Sequence, residues 1–249
     1  MKGISWKDSG GSGAPVVFMH PASCDSRMWL HQEPAVKAAG LRFIAMDRRG
    51  YGGSDGAPGF AADDLEALRK ELHLPKIHLV GTAAGAIAAV DYAISFPGSL
   101  LSLVVANSIV GVQDEDYVAM SRRLRPSPEF NALPTEVREL GPSYRAANPE
   151  GTKRWMELAQ HVASQPTKNR ITWAALETIN TPTLLITGDA DLYTPPSVLR
   201  MFAERFPNCE SLVIPECGHS AFWEQPEAFN RAVLDFLQKH YFGVRVRTL

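Results

Sequence analysis

The chain has 249 residues, 45% of them hydrophobic and 21% charged, with a formal net charge of −2. That length can bury a sizeable core in one α/β domain or two small ones, and the composition is that of an ordinary soluble globular protein. With no basic tract it lacks the electrostatic footprint for nucleic acid or an anionic membrane, and no apolar run approaches the roughly 20 residues of a membrane helix.

Met1-Lys2-Gly3-Ile4-Ser5-Trp6 has no apolar signal-peptide core, and a short strand is predicted near Ile4–Lys7. Gly10-Gly11-Ser12-Gly13 reads as a tight loop. Val16–Met19 is a buried strand, and a helix is predicted over Met28–Ala39. The strand Phe43–Asp47 leads into Asp47-Arg48-Arg49-Gly50-Tyr51-Gly52-Gly53-Ser54, a structural turn whose charges satisfy backbone groups. That turn lacks the helix-opening third glycine and the later acidic residue that a dinucleotide site requires. A helix over Asp63–Leu72 follows.

Ile77–Val80 is a strand, Gly81-Thr82-Ala83-Ala84-Gly85 a tight turn, and Ala84–Phe96 a helix. Strand, turn and helix, with glycines two residues either side of a centre, is the layout of a nucleophile elbow. The flanking glycines let strand and helix crowd together. A serine, cysteine or aspartate at the centre would be presented to substrate; here the centre is Ala83.

After a strand at Leu103–Ala106 the alternation stops, from about Ile109 to Leu176. This interval is rich in proline, with helical patterns at Glu115–Leu124, Pro134–Leu140 and Gly151–Gln165. It reads as an inserted cap of short helices over 109–176, excluding water and shaping specificity. Candidate pocket residues are Tyr117, Met120, Phe130, Tyr144, Trp155 and Met156, although gluing cap to core explains most of them. Arg122, Arg123, Arg125, Arg138, Arg145 and Arg154 could grip a substrate carboxylate, but a solvated helix face explains most of these.

The strand Thr183–Thr187 runs into Gly188-Asp189-Ala190-Asp191-Leu192-Tyr193-Thr194-Pro195, with a helix over Pro196–Phe206. Leu212–Ile214 is the last strand, followed by Glu216-Cys217-Gly218-His219 and a helix over Pro226–His240. Asp191 and His219 therefore sit in loops just after strands, where open α/β sheets build their sites. Asp191 could instead cap the helix near Pro195, a role for which Asp189 is the better candidate.

Val16-Val17-Phe18-Met19-His20-Pro21, the Asp47–Ser54 turn, the Gly81–Gly85 elbow, Gly188–Pro195 and Gly218-His219 together resemble the α/β-hydrolase family along nearly the whole chain. The order of nucleophile position, acid and histidine is that of the fold. The resemblance implies a mostly parallel central sheet flanked by helices, with core 1–108 and 177–249 and the cap inserted between. It implies Asp191 as acid, His219 as base and Ala83 at the nucleophile position. The backbone N–H groups of Ala22 and Ala84 match the oxyanion hole, with Ser23 and Cys24 beside them as substrate-binding candidates. The chain departs from the family in having Pro21 after His20, where glycine is usual, and in lacking the elbow serine.

The three cysteines suit a reducing, cytoplasmic compartment rather than a disulfide scaffold. Cys24 could act as a surrogate nucleophile, but a small buried packing residue is the preferred reading. The seven histidines form no metal-binding pair and the cysteines are unpaired, so neither metal nor cofactor is assigned. The expected partner is a small ester, lactone or related carbonyl compound, bound by a monomer or homodimer. Alanine at 83 leaves three readings. The leading one is a serine hydrolase carrying a Ser→Ala replacement, acting on an ester or lactone or, second, on a carbon–carbon bond. The others are a lyase, isomerase or cofactor-free enzyme using His219 alone, and a binding protein that has kept only the pocket.

Overall fold

In the computed structural model, which describes residues 3–159 and 165–242, the apolar runs form the middle of a sheet. Strands β1 (Trp6–Asp8), β2 (Pro15–Met19), β3 (Arg42–Met46), β4 (Ile77–Thr82), β5 (Leu100–Ala106), β6 (Thr183–Gly188) and β7 (Cys209–Ile214) lie in the order β1-β3-β2-β4-β5-β6-β7. β1 is antiparallel to β3 and the other pairings are parallel. Every residue of β4 and β6 is buried, as strands covered by helices on both faces must be. β1 starts later than the Ile4–Lys7 expectation because its ladder pairs Trp6, Lys7 and Asp8 with Met46, Ala45 and Ile44.

Alternate residues of each strand feed two apolar layers. Ile44, Leu79, Val105 and Leu185 pack with α2 (Ala61–Glu71), α3 (Ala84–Ser95), α8 (Trp173–Glu177) and α9 (Pro196–Ala203). Phe18, Val80, Val104 and Ile186 pack on the other side with α1 (Gln32–Ala38), α10 (Ala221–Glu224) and α11 (Pro226–Phe242).

The expected Met28–Ala39 helix is broken into a 3₁₀ turn over Ser26–Leu30 and α1. Pro34 is the cause: in a continuous helix it would clash with the carbonyl of Leu30 and offer it no N–H, whereas in the first turn of a fresh helix it is tolerated. Between β5 and β6 lie α4 (Glu115–Arg123), α5 (Thr135–Glu139), α6 (Pro142–Ala147), α7 (Pro149–Leu158) and α8. α7 begins before the Gly151 expected because Asn148 caps it, accepting from Gly151 N at 2.8 Å, with Pro149 as its first residue. The expectation of helix to Gln165 falls partly outside the described residues. The short helices α6 and α8 were not anticipated; Pro142 opens the first and Thr172 caps the second.

Candidate active site

The elbow is shaped by what its glycines lack. A Cβ on Gly81 would lie 2.6 Å from both Ala86 Cα and Gly85 O, and one on Gly85 would strike Met19 O and His20 O. β4, α3 and the end of β2 therefore meet at a separation open only to glycine. Between them Ala83 has φ 48° and ψ −117°, a conformation costing an L-residue of order 1–3 kcal/mol. Hydrogen bonds hold it there: Ala83 N donates to Ala106 O and Ser108 Oγ donates to Ala83 O, each at 2.9 Å.

Ala83 lines a cavity of about 300 Å³ together with His219, Ala22, Ser23 and Ala84. Ala84 is the first residue of α3, so its N–H is one of the donors a helix leaves without an internal partner. The loop carrying Ala22 is pinned from behind. His20 Nδ1 and Arg48 Nη2 both donate to Pro21 O, at 2.8 and 2.9 Å, and Tyr51 Oη donates to Ala22 O at 2.9 Å. His20 Nε2 accepts the N–H of Arg48 at 2.9 Å. Burial, with Arg48 beside it, depresses the His20 imidazole to about 3 and keeps it neutral. Pro21, where the family usually has glycine, contributes the carbonyl that this network grips.

His219 Nδ1 faces the Asp191 carboxylate at 2.9 Å, and both side chains are buried. Asp191 Oδ1 also accepts the N–H groups of Tyr193 and Thr194 at 2.8 Å, while Oδ2 accepts from Asn107 Nδ2 and Thr187 Oγ1 at 3.1 Å. Burial alone would raise the Asp191 carboxyl, but His219 and these donors outweigh it and hold it below the usual range. Burial likewise opposes charge on His219, and the carboxylate overrides it and raises the imidazole. The pair fixes the proton on Nδ1, leaving Nε2 as the acceptor of the neutral ring. Asp191 caps no helix, and neither does Asp189, whose Oδ1 accepts from Cys217 N at 3.2 Å and ties the histidine loop to the acid loop. Asp47 bridges turns, accepting from Ser26 N and Gly53 N at 2.9 and 3.1 Å.

The expected cap contributors lie elsewhere. Tyr117 is buried against Trp173 and Phe202, ring centroids 5.5 and 5.4 Å away, and Met120 packs on the same core layer. Trp155 is buried in the opposite layer, and Phe130 sits behind the cavity wall with its ring 5.1 Å from that of Tyr193. Tyr144 lines a separate cavity with His31 and Trp223, and Met156 is 48% exposed. Each finds an apolar or solvent environment away from Ala83, so these expectations are corrected. Cys24 is fully buried and absent from the cavity wall, with its thiol pushed up by burial, which removes it as a surrogate nucleophile.

The roof is supplied instead by Thr135, Arg138 and Glu139 of α5, and the wall by Tyr193, Asn107, Ser108 and Ile87. Tyr193 stacks on His219 with centroids 4.5 Å apart, and its hydroxyl accepts from Arg138 Nη1 at 2.8 Å. Asn107 and Ser108 follow β5 directly, so the rule that sites gather after strand ends was the signal for them. Arg138 is committed to Leu133 O, Thr135 and Tyr193, and Arg125 donates to Leu192 O at 2.7 Å while stacking on Tyr193. Among the described residues no cluster of three or more His, Cys, Asp or Glu could hold a metal, and no helix is long and apolar enough to cross a membrane.

A mostly parallel seven-stranded sheet, a glycine-framed elbow after its central strand, and an acid and a histidine after later strands define an α/β-hydrolase fold. The chain belongs to the alpha/beta hydrolase family, whose model matches residues 16–232. It is 31% identical to the candidate non-heme bromoperoxidase BpoC of Mycobacterium tuberculosis, over 92% of this chain and 95% of that one. It is 27% identical to a 2-hydroxy-6-oxononadienedioate/2-hydroxy-6-oxononatrienedioate hydrolase of Cupriavidus pinatubonensis, over 94% and 90%. A thermophilic esterase from Thermogutta terrifontis superposes with a TM-score of 0.79 at 27% identity, covering 96% of this chain and 94% of the other.

Proposed function

We propose that this is the site of a carboxylic ester or lactone hydrolase for small or medium organic substrates, with alanine in place of the nucleophilic serine. The observation that carries the reading is the poised Asp191–His219 pair beside an elbow residue held at positive φ. A binding protein has no use for an oriented base, and a strained backbone presents a side chain that alanine does not possess. The helices over 109–176 act as the cap, and the free cysteines support work in the cytoplasm.

In a serine-bearing form the hydroxyl at position 83 attacks the substrate carbonyl while His219 Nε2 takes its proton and Asp191 holds the imidazole. The Ala22 and Ala84 N–H groups stabilise the oxyanion, each contributing about 3 kcal/mol. His219 returns the proton to the leaving alkoxide, then activates the water that releases the acyl group. With Ala83 the first step has no nucleophile, so the chain binds substrate without cleaving it. A second reading is hydrolysis of a carbon–carbon bond beside a ketone, favoured by the identity to the oxononadienedioate hydrolase.

The test is Ala83→Ser assayed on activated esters, lactones and ring-fission diketones. Cleavage of an ester or lactone supports the main reading, and cleavage of the diketones alone supports the second. A folded variant inert on the whole panel would overturn both.

A further inference from the structure

Three residues of the cavity wall, Ser23, Asn107 and Glu139, carry a buried polar atom that the triad does not use, and two of these atoms lie together. Oε2 of Glu139 and Oγ of Ser23 are sealed from bulk water, and neither has a well-formed hydrogen bond, although the Ser23 hydroxyl lies close enough to Glu139 to pull its carboxyl down. Both residues line the cavity that Ala83 and His219 line. They enter from opposite sides: Ser23 follows the oxyanion residue Ala22, and Glu139 ends α5, its carbonyl accepting from His219 N at 2.9 Å. The two side chains meet as a pair in the wall of the space that His219 also lines.

A carboxyl oxygen and a hydroxyl shut off from water without well-formed partners each cost a desolvation penalty of about 1–3 kcal/mol. Such groups call for a ligand that completes them. Of the neighbouring groups, Asn107 Oδ1 is the other acceptor left open, and it can offer a ligand no proton. Arg138 is bonded to Leu133 O, Thr135 and Tyr193, and the Asp191 carboxylate has its own donors. Of the other titratable groups around the carboxyl, Cys24 and Tyr193 are both pushed up by burial and stay neutral, and His219 is turned to Asp191. Burial raises the Glu139 carboxyl, with His219 opposing and Asp191 adding to the rise. In its protonated form the carboxyl offers an O–H donor, and the hydroxyl of Ser23 can rotate to offer another.

We propose that Glu139 and Ser23 form a second polar station in the cavity that binds an acceptor oxygen of the substrate other than the scissile carbonyl. The substrate class is then an ester or lactone bearing an additional ether or keto oxygen near the reacting group. Glu139 is a specificity-determining residue, and the proposal rests on the hydrolase reading above.

The experiment uses the chain as it stands, which cannot turn an ester over, and measures affinity by calorimetry for two isosteric pairs. One is butyl against 2-methoxyethyl butanoate; the other is methyl pentanoate against methyl 3-methoxypropanoate. In at least one pair the oxygenated ester is expected to bind about fivefold more tightly, the equivalent of one net hydrogen bond. Glu139→Ala should level that pair, Glu139→Gln should keep most of the preference through its neutral amide donor, and Ser23→Ala should reduce it. A merely structural role would weaken both members of a pair alike. Equal binding within both pairs, or a preference that survives Glu139→Ala and Ser23→Ala, overturns the station and leaves the hydrolase reading standing. No binding of any of the four esters overturns both.

Discussion

Nδ1 of His219 stands 2.9 Å from each of the two carboxylate oxygens of Asp191. One N–H is thus shared across a carboxylate already fixed by donors from Asn107, Thr187, Tyr193 and Thr194. The charge raises the imidazole above its ordinary 6.5. In Ala83→Ser the base must be neutral, so kcat/KM is expected to rise with pH through a midpoint above 6.5. Asp191→Asn in that background should cost roughly 10⁴-fold in kcat, because the amide favours the wrong tautomer. A midpoint at or below the ordinary histidine value, or a small loss on Asp191→Asn, contradicts the arrangement.

His20 predicts a stability effect. Its folded-state value, down to about 3, lies below the ordinary 6.5, so between those values the unfolded chain binds a proton that the folded chain refuses. Stability is therefore lost as pH falls from 6.5 toward 3. Between pH 7 and 5 this single group should account for about 2 kcal/mol. Urea unfolding of His20→Asn should show a pH dependence flatter by that amount. His78, lowered to about 4, acts in both proteins and cancels in the difference. Parallel curves for parent and variant would refute the assignment.

Gly85→Ala should reverse the usual sign of its exchange. Within a helix, glycine to alanine ordinarily stabilises by about 1 kcal/mol. Here the new methyl meets the carbonyl oxygens of Met19 and His20, backbone atoms that cannot step aside. A loss of roughly 3 kcal/mol is expected, read as a lower urea midpoint at unchanged m-value. A more stable variant would mean that β2 and α3 are not in contact at this glycine.

Ser108→Ala tests what holds the elbow in its strained conformation. The hydroxyl donates to Ala83 O at 2.9 Å and accepts from Val110 N at 3.1 Å. Losing both bonds should cost about 1–3 kcal/mol of stability. In the Ala83→Ser background kcat should fall by a larger factor than KM changes, since the hydroxyl lost from the cavity wall is bonded to the elbow and to Val110 N. A change in KM alone would place the effect elsewhere.

The sheet was legible because buried parallel strands are continuous apolar runs, and the loops after them are where an α/β sheet presents chemistry. Ala83, Asp191 and His219 could be picked out on those grounds. The roof was not legible. Tyr117 and Trp155 lie in short helices whose pattern marks them as apolar without saying which layer they enter. Nothing in the sequence marks Glu139, at the end of a five-residue helix, and only the approach of α5 to His219 and Ser23 places it in the cavity wall. Pro34 is a local signal for the break within Met28–Ala39, since proline is tolerated only in the first turn of a helix.

The conformation of Ala83 is imposed by Gly81, Gly85, Ala106 and Ser108, none of which depends on the side chain at 83. Loss of a hydroxyl there leaves the scaffold as it was, and its return requires no repacking. Every alanine codon differs from a serine codon only in its first base. On the proposed reading, a lone nucleotide change would separate the serine form from the alanine form, so the two should interconvert readily in a population under changing selection.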